Sequence, residues 1–138
     1  MRKGLFILSV IVAFASLGFG QRIEDGSRST IGYISSSGTV ENGRSSTIGY
    51  INSNGTIENG SRSTIGYLTK EGRVENASRS TIGYISDSGT VENGSRSTIG
   101  YVNSNGRVEN GSRSTIGYAE GVNQRYAALF FFFFFRDR

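Results

Sequence analysis

Glu58-Asn59-Gly60-Ser61-Arg62-Ser63-Thr64-Ile65-Gly66-Tyr67 decides the fold of this chain, because the phrase returns at a fixed interval. Its second glycine recurs as Gly32, Gly49, Gly66, Gly83, Gly100 and Gly117, each 17 residues after the last. Tyr33, Tyr50, Tyr67, Tyr84, Tyr101 and Tyr118 keep the same step, and no insertion disturbs it. A period this strict marks a repeat architecture, in which one unit cannot bury a core alone and its neighbours must complete it.

Each unit holds two short β signals, Thr30-Ile31-Gly32-Tyr33-Ile34 and Thr39-Val40-Glu41-Asn42 in the first copy. The loop between them varies, from Ser35-Ser36-Ser37 through Thr69-Lys70-Glu71 to Asn103-Ser104-Asn105, but always ends in glycine. That pattern predicts a type I turn closed by a left-handed glycine in a G1 bulge, a position only glycine takes without strain. Register follows: Ile34 opposes Val40 and Gly32 opposes Asn42 on one face, while Tyr33 opposes Glu41 on the other, with Ile31 beside it. The second junction, Asn42-Gly43 and its copies, resembles a type I′ turn, but one copy reads Asn76-Ala77. Alanine resists positive φ, so this junction is read as a bend leading one hairpin into the next.

The chain opens on a half-unit, Arg22-Ile23-Glu24-Asp25-Gly26, and closes on the complementary half from Thr115 to Ala119. Five complete hairpins with matching loose ends predict an all-β fold: a closed, shallow, pseudo-five-fold ring of 17-residue hairpin repeats. The rival is an open solenoid with one coil per repeat, which suits identical stacked residues but needs atypical caps.

Charge repeats as well. Glu58, Glu75, Glu92 and Glu109 are each followed four residues later by an arginine, whereas Arg44 stands one place early after Glu41. A ring of arginines could bind anions, but a glutamate in the same unit as each arginine favours structural pairs, each contributing at most about 1 kcal/mol at a surface.

The ends depart from the repeat. Residues 1–20 read as a signal peptide: Arg2 and Lys3, an apolar run from Leu5 to Phe19, and small residues before a cleavage between Gly20 and Gln21. Removing it lowers the net charge from +4 to +2, so basicity is no argument for nucleic acid, and a secreted or periplasmic envelope location is expected. The hairpin domain spans 21–122. A tail, 123–138, carries Tyr126-Ala127-Ala128-Leu129 and six phenylalanines, Phe130 to Phe135. The run is too short to span a bilayer as a helix. Ala-Ala-Leu favours helix and the phenylalanines favour strand. In either form the segment is expected to pack on or in the ring, since a patch this apolar would not stay exposed; the alternative is a membrane or partner anchor.

No catalytic constellation is present. Without His there is no partner to activate a serine, and without Cys there is neither a thiolate nucleophile nor a disulfide. The glutamates stand in identical surroundings, whereas acid–base catalysis needs two different ones. No cofactor or metal pattern appears. Asn59-Gly60-Ser61 and its copies match the glycosylation pattern because the repeat spells it.

The repeat and the ending Gly117-Tyr118-Ala119-Glu120-Gly121-Val122, followed by Ala127-Ala128 and the phenylalanines, resemble the five-fold β-flower proteins from Arg22 to about Phe135. The resemblance implies a shallow barrel of radiating hairpins, distantly similar to the tubby-like barrel, and association with lipid or a membrane surface. It brings no activity and no functional residues. The expected function is therefore a non-enzymatic module binding a lipid-like or hydrophobic ligand at its centre. The candidate face is Ile34, Val40, Ile51, Ile57, Leu68, Val74, Ile85, Val91, Val102, Val108, Phe130, Phe131 and Phe132. The alternative is an adhesive envelope scaffold whose variable hairpin tips meet a protein or glycan.

Overall fold

The computed structural model describes residues 20–136. The signal-peptide reading therefore lies almost wholly outside the described residues. Twelve antiparallel strands form one closed barrel. A lone strand, β1 (Gln21–Asp25), comes first. Five hairpins follow: β2 (Thr30–Ile34) with β3 (Thr39–Asn42), β4 (Thr47–Ile51) with β5 (Thr56–Asn59), β6 (Thr64–Leu68) with β7 (Arg73–Asn76), β8 (Thr81–Ile85) with β9 (Thr90–Asn93), and β10 (Thr98–Val102) with β11 (Arg107–Asn110). The last strand, β12 (Thr115–Tyr118), pairs with β1 through Glu24 opposite Tyr118 and Asp25 opposite Gly117. The two loose halves thus assemble a sixth hairpin without a covalent loop. Closure leaves no strand edge open, which disposes of the solenoid. The five hairpins read from the sequence are all present, and the repetition around the axis is six.

The register within each hairpin follows the turn. Gly32 opposes Asn42, Tyr33 opposes Glu41 and Ile34 opposes Val40. Gly38, Gly55, Gly72, Gly89 and Gly106 all hold φ between 94° and 98°, and the Gly38 N–H donates to the Ser35 carbonyl. Two sequence expectations need correction. The second junction is a hairpin turn in its own right, joining antiparallel β3 and β4. The Ser45 N–H donates to the Asn42 carbonyl, and the Asn42 N–H to the Ser46 carbonyl. Asn42 Oδ1 also accepts from the backbone of Arg44 and Ser46, the side-chain mimic of a turn for which asparagine is suited. The left-handed residue comes two places after the expected glycine: Ser45 at φ 65° in this copy, and Arg28, Arg62, Arg79, Arg96 and Arg113 at 70–72° in the others. That is why Ala77 is tolerated.

The second correction concerns Ile31. Each strand that begins a unit slips by one residue against the preceding strand, as Val40 opposes Gly49 but Glu41 opposes Thr47. The extra residue is Ile48, and by the same slip Ile31 in the first copy. A bulge breaks the strict alternation of faces, so Ile31, Ile48 and their copies pack against the core instead of standing outside with the tyrosines.

The tail is a helix, α1 (Gln124–Phe132), and it fills the barrel. Asn123 caps it, its side chain accepting from the N–H groups of Arg125 and Tyr126, which satisfies two of the open donors of the first turn. Ala119 stands where the other units carry Ile, Val or Leu, and it is buried. Its N–H donates to the Gly106 carbonyl and its carbonyl accepts from Val122, so the chain turns inward at once. Ala127, Ala128 and Leu129 are fully buried, and the two small residues let the helix backbone lie close to the strands.

Candidate functional site

The interior has two layers. The first surrounds Ala127, Ala128 and Leu129 and holds the inward residues next to the hairpin tips. Ile34, Val40, Ile51, Ile57, Val74, Ile85, Val91, Val102 and Val108 are at most 1 % exposed, and Leu68 is half-buried. All the aliphatic residues proposed as a ligand face are thus brought together. They share that core with the chain's own helix.

The second layer is aromatic. Phe130 lies on Gly32, Phe131 on Gly117, Phe132 on Gly100, Phe133 on Gly83, Phe134 on Gly66 and Phe135 on Gly49. Successive phenylalanines therefore step from hairpin to hairpin around the axis, one ring per repeat. A ring of six needs about 60° per residue, against about 100° in an α-helix, so the helix must widen. The Phe134 N–H accordingly donates to the Leu129 carbonyl five residues back. The rings touch one another edge-on or tilted, Phe130 and Phe131 at 5.6 Å and Phe134 and Phe135 at 6.2 Å between centres, the arrangement their quadrupoles favour. Phe130 and Phe131 are buried, while Phe132 to Phe135 remain half-buried at the barrel end that carries the Asn-Gly turns.

Outside, the repeat builds a stack. Tyr50 opposes Glu58 across β4 and β5. Arg62, held left-handed in the next turn, donates to Glu58 at 2.8 Å and covers the Tyr50 ring at 3.6 Å. Arg79 over Tyr67, Arg96 over Tyr84 and Arg113 over Tyr101 repeat it, and Arg28 over Tyr118 spans the seam between the two chain ends. The cation–π and ionic contacts offset the strain of a non-glycine residue at positive φ. Where a second arginine reaches the glutamate, as Arg22, Arg73 and Arg107 do for Glu24, Glu75 and Glu109, the carboxylate is buried. Among the described residues no buried side-chain polar atom lacks a partner, and no cluster of acidic residues could hold a metal ion.

These contacts set a pH dependence. The Arg73 and Arg79 guanidiniums hold Glu75 below the usual carboxylate value of 4.5, outweighing the cost of burial. Arg113, with Asn103, does the same for Glu109, and Arg62, with Asn52, for Glu58. A depressed pKa stabilises the fold above the unfolded value, and that stability is lost as pH falls through it toward the folded value. Thermal unfolding should therefore be flat from pH 7 to about 5 and its midpoint should drop steadily below about 4.5. The drop should be smaller in Glu75→Gln/Glu109→Gln, and an equal drop in that variant would assign acid sensitivity elsewhere.

One unit departs from the pattern. Arg44 and Ser45 are exchanged relative to the other copies, so Ser45 occupies the left-handed position and Tyr33 carries no guanidinium among the described residues. Arg44 borders a cleft of about 660 Å³ together with Ile31, Ile48, Phe130, Phe135 and Arg136. The exchange is visible in the sequence, but its consequence was not, because it depends on which ring of the tail lies beneath that turn. The asparagines of the glycosylation pattern are turn builders: Asn59 Oδ1 accepts from the N–H groups of Ser61 and Ser63.

A closed hairpin barrel sealed by its own C-terminal helix defines the structural class. The family of 5-fold beta-flower proteins matches residues 20–135, and the chain belongs to that family. No curated protein and no solved structure matches it.

Proposed function

We propose that this chain is a non-enzymatic, exported envelope module that meets a lipid-like or hydrophobic partner at the phenylalanine end of its barrel, not at its centre. The observation that carries this is the division of the aromatic layer. The interior beside the hairpin tips is filled by Ala127, Ala128 and Leu129, whereas Phe132 to Phe135 are only half-buried at the other end. Arginines stand in the turns around that end, the surroundings in which an apolar surface meets anionic headgroups. Export rests on the composition of residues 1–20, and the non-enzymatic reading on the lack of His and Cys.

Flotation of residues 21–138 with phosphatidylcholine vesicles, with and without phosphatidylglycerol, tests the reading. Association is expected, stronger with the anionic lipid and weakened by salt. Protein that stays unbound with both compositions would refute it. The adhesive alternative draws support from Ser53, Asn54, Ser104 and Asn105, exposed at hairpin tips. Two other tips anchor the helix instead. Arg125 donates to the Lys70 carbonyl and the Asp87 carboxylate, fixing the rotation of the helix in the barrel.

A further inference from the structure

We infer that the cleft between Arg44 and Arg136 is a seat for a single-chain anionic amphiphile, a fatty-acid carboxylate with its hydrocarbon on the phenylalanines. The inference rests on the proposed lipid contact at this end and names its ligand class. The cleft is about 660 Å³, within the range of small-molecule sites. Its apolar wall is Phe130 and Phe135, the first and last rings of the aromatic circuit, with the bulge residues Ile31 and Ile48. The two rings lie 6.5 Å apart between centres.

Its polar border is cationic. In five units the arginine of the turn is engaged by a tyrosine face and a glutamate. In the sixth the exchange of Arg44 and Ser45 takes the guanidinium off that stack, and among the described residues Arg44 has no carboxylate partner. Arg136 enters the same border from the chain's end, its guanidinium 5.3 Å from the Phe131 ring centre. Among the described residues no acidic side chain lines the cleft. Two guanidiniums beside an apolar wall complement a carboxylate head joined to an alkyl chain: the head takes charge-assisted hydrogen bonds and the chain leaves water.

The exchange supplies its own control. Arg44→Ser/Ser45→Arg restores the consensus turn, giving Tyr33 and Glu41 the stack of the other units while emptying the cleft border of one cation. The variant should fold at least as well, with an unfolding midpoint raised by about 3 °C. Calorimetric titration of residues 21–138 with dodecanoate, below its micellar concentration, should show one site, and methyl dodecanoate should bind far more weakly. The exchanged variant should lose dodecanoate affinity by about tenfold, the worth of one charged hydrogen bond.

Equal binding of the acid and its methyl ester, unchanged affinity in the exchanged variant, or no dodecanoate binding at all would each overturn the assignment. Vesicle flotation of the same variant keeps the two readings apart. Retained flotation with lost dodecanoate binding supports both, and retained flotation with unchanged dodecanoate binding removes only the cleft. Failed flotation with a positive dodecanoate result removes only the membrane contact.

Discussion

Gly83→Ala should destabilise the protein by about 2–3 kcal/mol, the upper part of the range for overpacking. A Cβ at this position would lie 2.6 Å from the Glu92 carbonyl oxygen and inside van der Waals contact of the Phe133 ring. Neither can yield cheaply: the oxygen belongs to β9, and the ring is confined between its neighbours in the aromatic layer. Gly94→Ala is the matched control. Its Cβ would approach nothing closer than 3.3 Å, its φ is not positive, and the equivalent residue in another unit is already Ala77. That change should be neutral or stabilising by up to about 1 kcal/mol, by restricting the unfolded chain. Urea unfolding of the two variants should separate them clearly. Gly83→Ala/Phe133→Ala should cost less than the sum of its single changes, because removing the ring vacates part of the space the methyl needs. Additive costs would show that the glycine is not a seat for the ring.

Much of this architecture is legible in the residues. The loop glycines, Gly38 and its copies, specify a left-handed turn end, and that turn fixes the pairing of Tyr33 with Glu41. The half-units at the two ends specify closure. What is not legible is what needs a third element. Type I′ chemistry at Asn59-Gly60 is a local reading, but the left-handed residue is Arg62, two places on, held by Tyr50 across the sheet. Propensity alone disfavours arginine there; the stack overrides it. The inward packing of Ile31 follows from a bulge that no alternation of apolar residues announces. The apolar run places the tail on or in the ring but leaves open which of the two, and leaves helix and strand open as well. Ala127-Ala128 shows that the helix is slim, but only the closed barrel shows that such a helix fits inside it. The number of phenylalanines was the available signal: six rings for six glycines of the Thr-Ile-Gly-Tyr phrase.

That count makes a stronger prediction. Deleting Thr47–Ser63 removes β4, β5 and the glycine on which Phe135 rests, and joins Ser46 to Thr64 in the consensus register. The tips held by Arg125 are untouched, since Lys70 and Asp87 lie outside the deletion. A solenoid would only shorten, but a closed barrel must shrink around a helix and a tail sized for six. The deletion should therefore lower stability severely, by several kcal/mol on the scale of a disrupted core. Phe135 is then a ring without a seat. Removing Phe135 as well should recover part of the loss, on the order of 1.5–3 kcal/mol, the cost of leaving a phenylalanine unburied. In the full-length barrel the same removal should do the reverse and destabilise, because Gly49 would face an empty place. Crowding of Leu129 in the smaller barrel burdens both deletion variants equally, so their difference isolates the ring. A change of sign in the effect of removing Phe135, read from unfolding midpoints of the four proteins, is the result that one phenylalanine per hairpin requires. The same sign in both backgrounds would mean that the tail fills the barrel without counting its strands. With the change of sign, the shortened chain would have the five-fold repetition by which its family is described, and tail length would set the size of the ring.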